Sequence, residues 1–190
     1  MRITGGIYCN RRIKCPKGVI RPAMDRMRES LFSILGNLYG ISFLDLFSGS
    51  GIVGIEAASR GASSVTFVEM DRIKKAVLQE NAKIAENCKT EIFIIPVERF
   101  IFLTKNKFDI IFLDPPFPFK KKQGLIDFIS NKKILNPQGL VIIHHPSEEV
   151  WPDKIDTLTL EDKRKYGRSI LLFYRNEEQD SSSECSNEEE

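Results

Sequence analysis

The chain has little that would anchor it in a membrane, hold a metal or staple it with disulfides. No apolar run approaches the roughly 18 residues that cross a bilayer, and the N-terminal stretch lacks the apolar segment of a signal peptide. Cys9, Cys15, Cys88 and Cys185 are scattered without metal-ligand spacing. Cys9 and Cys15 fall on an expected hairpin, but reduced thiols suit the pattern better. These absences lead us to expect no metal, no membrane contact and a cytoplasmic location. Internal repeats are lacking too, and 190 residues suffice for one three-layer core, which we expect to be a monomer.

Charge of one sign is also missing locally. Residues 176–190 carry seven acids and no base, so all 28 Lys and Arg lie in the first 175 residues, against 19 acids. Residues 1–28 hold eight bases and one acid, Asp25. The net charge of +2 hides this split. A basic segment of that density is an electrostatic footprint for a polyanion, with a merely solvated surface as the alternative. The acidic stretch 176–190 has no large apolar residue and is expected to be a disordered, solubilising tail.

Two motifs stand out. Phe43-Leu-Asp-Leu-Phe47 reads as a strand running into Ser48-Gly-Ser-Gly-Ile-Val-Gly54 and then a helical pattern. Gly49, Gly51 and Gly54 satisfy G-x-G-x-x-G between strand and helix, where backbone N–H groups and a helix N-terminus can meet a nucleoside-type ligand. Glu69 closes the next strand, Val65–Val68, and is placed to accept from ribose hydroxyls. Asp45 decides between ligands. Beside a pyrophosphate its charge would cost on the order of 4 kcal/mol, whereas S-adenosylmethionine carries an ammonium and a sulfonium. An Asp that only caps the turn or the following helix is the plainer alternative.

The second motif is Asp114-Pro-Pro-Phe117 at the end of Phe108–Leu113. Two prolines fix the turn and donate no N–H, so one carboxylate, exposed carbonyls and a ring face meet there. That set can hold a planar exocyclic amine or a carboxamide. Asp114, Pro115, Pro116 and Phe117 are thus the candidate catalytic corner. The candidate cofactor contacts are Asp45, Phe47, Ser48, Gly49, Ser50, Gly51, Glu69, Met70, Val97, Glu98 and Asp114. Candidate RNA phosphate contacts are Arg11, Arg12, Lys14, Arg21, Arg26 and Arg28, with Lys120, Lys121 and Lys122 beside the corner. Adjacent histidines point opposite ways on a strand, so His144 and His145, expected just past the fifth strand, are given no role. Trp151 is expected to pack.

The rest of the pattern alternates strand and helix: strand 65–69, helix 71–87, strand 91–95, helix 97–104, strand 108–113, a helix near 122–132 and strand 139–144, entered by a turn at Asn136–Gly139. Two runs near 155–160 and 169–174 then suggest an antiparallel edge hairpin. With the strand at 43–47, this is an α/β fold with a mostly parallel seven-stranded sheet. Ahead of it, Arg2–Tyr8 and Arg12–Cys15 read as a small β-hairpin, and 24–38 as an amphipathic helix. The expected division is a basic RNA-binding extension over 1–38, a core over 39–175 and the tail over 176–190.

Phe43–Gly51 together with Asp114–Phe117 resembles the Rossmann-like class I S-adenosylmethionine-dependent amino-methyltransferases. Met1-Arg-Ile-Thr-Gly-Gly6, Arg21-Pro22, Asp25–Phe32, Ser59–Ala62, Phe67–Glu69 and Tyr166-Gly167 resemble one branch of them, the bacterial RsmD family of small-subunit rRNA guanine-N2 methyltransferases. The resemblance covers residues 1 to about 174. It implies S-adenosylmethionine as cofactor and 16S rRNA, naked or in a partly assembled small ribosomal subunit, as partner. It further implies methyl transfer to N2 of the guanine conventionally numbered 966. The family usually has an Asp after the third strand for the adenine amine; Pro96 stands there in this chain, leaving Glu98 or backbone groups. The rival readings are a DNA adenine-N6 or cytosine-N4 methyltransferase, a protein-glutamine methyltransferase, and a non-catalytic RNA-binding assembly factor on the same fold.

Overall fold

The computed structural model describes residues 1–15 and 22–178, so Arg21 and the acidic stretch from 179 onward lie outside the described residues. Eight strands form a single sheet in the order β3-β2-β1-β4-β5-β8-β7-β6. The central strands β1 (Ser42–Leu46), β2 (Ser64–Val68), β3 (Lys89–Phe93), β4 (Phe108–Leu113) and β5 (Leu135–Pro146) run parallel. β8 (Ser169–Asn176) joins β5 antiparallel, β7 (Leu158–Tyr166) pairs with β8, and the two-residue β6 (Lys154–Ile155) pairs with β7. Where the sequence suggests seven strands, the described residues form eight, because the run 155–160 is broken by a turn into β6 and the start of β7.

Helices cover both faces: α1 (Pro22–Leu35), α2 (Ile52–Ser59) and α3 (Lys75–Ala82) on one, α4 (Val97–Leu103) and α5 (Lys122–Asn131) on the other. The period of two in each strand sorts the core into two layers. Phe43, Val65, Phe67, Ile110, Phe112 and Ile142 face the first set of helices; Leu44, Leu46, Val68, Ile111, Leu113 and Val141 face the second. Strands buried on both faces are what βα crossovers produce, and they explain the near-continuous apolar runs in the sequence.

Several boundaries differ from the sequence expectation. The N-terminal hairpin has one β-bridge, between Arg2 and Arg12, flanked by hydrogen bonds from the Ile13 N–H to Met1, the Ile3 N–H to Arg11 and the Asn10 N–H to Ile3, and Asn10 takes φ 67°. The segment is also held by Glu56 of α2, which is fully buried. Its carboxylate accepts from the Thr4 N–H and hydroxyl, from Arg28 Nε at 3.2 Å and from Arg60. Ile3, Tyr8 and Ile13 therefore share one core with α1 and α2. The expected helix 71–87 is a 3₁₀ turn at Arg72–Lys74 followed by the shorter α3. The Asn136–Gly139 turn is absorbed into β5, where Gln138 takes φ 58° and the pairing shifts between Phe108 and Ile110. His144 and His145 lie inside β5 rather than past it. Asn176 ends β8, buried, with its amide donating to the Asn136 carbonyl, so the tail starts later than residue 176.

Candidate active site

The C-terminal ends of β1, β2 and β4 bring the two motifs together. β1 ends in the glycine turn, and Phe47 takes a left-handed conformation (φ 63°) that costs a bulky residue energy. Its ring is held edge-on to Phe119 at 5.4 Å. Gly49 and Gly51 continue the turn at positive φ. Gly54 is required for a different reason: a Cβ there would sit 2.4 Å from the Phe67 ring, so α2 packs closely on β2 only through glycine.

Ser48 is a staple. Its hydroxyl donates to the Asp45 carbonyl and accepts from the Val68 N–H, tying β1 to β2. Glu69, also buried, accepts from the Gly49 N–H through Oε2 and the Asp71 N–H through Oε1, both at 2.9 Å, with Lys74 Nζ at 3.3 Å. The carboxylate expected to meet ribose hydroxyls thus also shapes the glycine turn. Met70 beside it is exposed. Asn81 of α3 holds the turn from below. Its amide donates to the Ser50 carbonyl at 2.9 Å and to the Lys14 carbonyl at 2.8 Å, and its oxygen accepts from the Lys14 N–H.

Asp45 is 2% exposed and accepts from the Gly54 N–H at 3.0 Å. The plainer alternative of a helix-capping Asp is therefore part of its role. Burial, reinforced by the charges of Asp114 and Glu69 and opposed by the Gly54 hydrogen bond, pushes its carboxyl up to about 8. Asp114 and Glu69 add to the cost of ionising Asp45, a cost that a bound cation lowers and a bound anion raises. The site residues therefore fit a sulfonium- and ammonium-bearing cofactor better than a dinucleotide.

At the corner, Pro115 is buried, Pro116 exposed, and Asp114 and Phe117 half-buried. The Asp114 N–H reaches the Leu46 carbonyl at 3.4 Å, so the corner abuts the glycine turn. Asp114 Oδ1 lies 2.7 Å from His144 Nδ1, and the Phe117 ring stands edge-on to the His144 ring at 5.8 Å. Sequence reasoning passed over His144 on a true but insufficient ground. Its neighbour does point the other way: the His145 ring lies 5.2 Å from that of Trp151, tilted by 45°. The usable signal was the register, because Leu113 opposite Ile143 sets Asp114 opposite His144. Beyond the corner a cavity of about 520 Å³ is lined by Phe117, Phe119, Lys120, Lys122, Glu149 and Trp151, among others.

Some candidate residues have other work. Lys122 is 4% exposed; its ammonium donates to the Phe117 carbonyl and pairs with Glu149, so it braces the corner instead of meeting phosphate. Arg28 is 2% exposed, bound to Glu56, Asp25 and the Arg2 carbonyl, and is a core residue. Val97 turns its side chain into the core under α4, while Glu98 is exposed after Pro96. Arg12, Arg26, Lys120 and Lys121 are exposed; Arg11 and Lys14 are exposed and paired with Glu86 and Glu80.

A family model described as "Conserved hypothetical protein 95" matches residues 1–175. The Bacillus subtilis protein YlbH is 32% identical over 181 residues, spanning 92% of this chain and 98% of that one. Ribosomal RNA small subunit methyltransferase D of Escherichia coli is 28% identical over 181 residues, 94% of this chain and 91% of its own. The solved Escherichia coli protein yhhF superposes with a TM-score of 0.86 at 29% identity, covering 94% of this chain and 99% of that one.

Proposed function

The chain belongs to the RsmD family, and on that premise we propose that it transfers the methyl group of S-adenosylmethionine to the exocyclic N2 amine of a guanine in 16S rRNA, the guanine numbered 966. One observation carries the reading: the Asp114 corner abuts the buried acids of the glycine turn, so an amine acceptor and a cationic donor can share one site. The naming of relatives for small-subunit rRNA supports the acceptor.

S-adenosylmethionine, when bound, supplies an electrophilic methyl on a cationic sulfur. Glu69, the glycine-turn backbone and Asp45 are the groups that would hold it. The guanine amine is a poor nucleophile because its lone pair is spread into the ring. Asp114 and the Pro115 carbonyl accept its two hydrogens and direct the lone pair outward. Phe117 stacks on the base, which enters the cavity beyond the corner after leaving its stack at a cost of a few kcal/mol. With that cofactor bound, its sulfur would be the leaving group as the methyl passes to the amine, and the free oxygen of Asp114 would take the proton that the nitrogen then releases. No buried charge is created, so most of the acceleration comes from alignment, worth roughly 7–11 kcal/mol in well-oriented systems.

The test is a tritiated-methyl assay offering rRNA, small subunits, DNA and protein, followed by nucleoside analysis. N2-methylguanosine from rRNA or subunits is expected. Label in adenine, cytosine or glutamine, or in nothing, would refute the proposal. Asp114→Ala should abolish transfer while cofactor binding persists.

A further inference from the structure

Asp114 has a partner that an acid-and-proline corner does not by itself require. His144 is 4% exposed, its Nδ1 is 2.7 Å from Asp114 Oδ1, and its Nε2 is buried with no hydrogen-bond partner among the described residues. A neutral imidazole carries one N–H. A proton on Nε2 would orphan a buried donor and set the Nδ1 lone pair against a carboxylate oxygen. A proton on Nδ1 satisfies the donor and leaves only a bare lone pair, the less costly omission. The proton is therefore assigned to Nδ1 from the hydrogen-bond network, donating to Asp114. The ring is fixed in turn by its edge contact with Phe117 and by the pairing of β5 with β4 and β8.

We propose that His144 is a positioning residue for methyl transfer: its Nδ1–H claims one oxygen of Asp114 and thereby aims the other at the acceptor amine. The proposal rests on the methyltransferase reading above and adds a residue to it. His144 keeps its own proton throughout; the proton released from nitrogen goes to the opposite oxygen of Asp114. Without the imidazole donor the carboxylate is free to rotate, and the amine loses an oriented acceptor. A misplacement of this kind slows the chemical step without weakening the binding of either substrate.

The experiment compares His144→Leu, which fills the space without a donor, with His144→Asn, whose amide N–H can stand near the Nδ1 position. Single-turnover methyl transfer, cofactor Kd, acceptor KM and melting temperature are measured for the full chain. His144→Leu should lower the single-turnover rate about tenfold or more, with Kd and KM within about twofold of wild type. His144→Asn should recover most of that loss. If the Leu and Asn variants match wild type, or are impaired equally, the inference is overturned while the function stands. A wild-type protein silent on every acceptor overturns both.

Discussion

Single residues divide here between those that meet ligands and those that hold them in place. Lys122 belongs to the second group, since its ammonium bridges the Phe117 carbonyl and Glu149 beneath the corner. Replacing it with Met should lower methyl transfer about tenfold or more, because small misplacements of reacting groups are costly. RNA affinity and its salt slope should stay unchanged, as read by filter binding. Lys120→Ala should do the reverse, weakening RNA binding and reducing the salt slope by roughly the share of one phosphate. Nothing in three consecutive lysines distinguishes the buried one; only the start of α5 turning Lys122 inward does so. Asp45 yields a pH prediction. Its folded-state value of about 8 lies above the ordinary carboxyl range near 4, so the folded form binds the extra proton. This group's contribution to stability is therefore lost as pH rises from about 4 to about 8. Asp45→Asn should flatten the fall in melting temperature of the cofactor-free protein between pH 6 and 8.5.

The elements show why some of the fold could be read in advance and some could not. β1, β2, β4 and β5 are buried on both faces, and their apolar runs announce them in the sequence. The glycine turn is legible for the same reason: the packing of α2 on β2 leaves no room for a side chain at Gly54. Gly54→Ala should destabilise the protein by about 1–3 kcal/mol through overpacking against Phe67 and Val65, measured by denaturant melts. The N-terminal hairpin pairs over a shorter stretch than its alternation suggests, because that alternation also records contact with α2. Three of its apolar side chains enter the first core, and its backbone is tied down by Glu56. Arg28 was legible only as charge, and its partner Glu56 lies 28 residues away. Arg28→Ala should leave Glu56 buried with one fewer cation and cost about 3–5 kcal/mol by the same melts, with little effect on the salt dependence of RNA binding.

At the scale of the whole molecule, the corner, the glycine turn and the cavity all belong to one edge of the sheet, where β1, β4 and β5 end. The exposed bases Arg11, Arg12, Lys14 and Arg26 come from the N-terminal segment and α1, both anchored on the core layer that also holds α2 behind the glycine turn. The pairs of Arg11 with Glu86 and Lys14 with Glu80 are exposed, and such pairs hold weakly enough to exchange for phosphate. RNA affinity should therefore fall steeply with salt, by about 0.7 logarithmic units per tenfold rise for each phosphate contacted in a single strand.

Asn81 gives this arrangement a mechanical consequence. One carboxamide clasps the backbone of Lys14 on one side and that of Ser50 on the other. The arm and the donor loop thus share a hinge pin, and neither can loosen without releasing the other. Filling the donor loop should slow amide exchange at the arm, a linkage that cutting the pin with Asn81→Ala would sever.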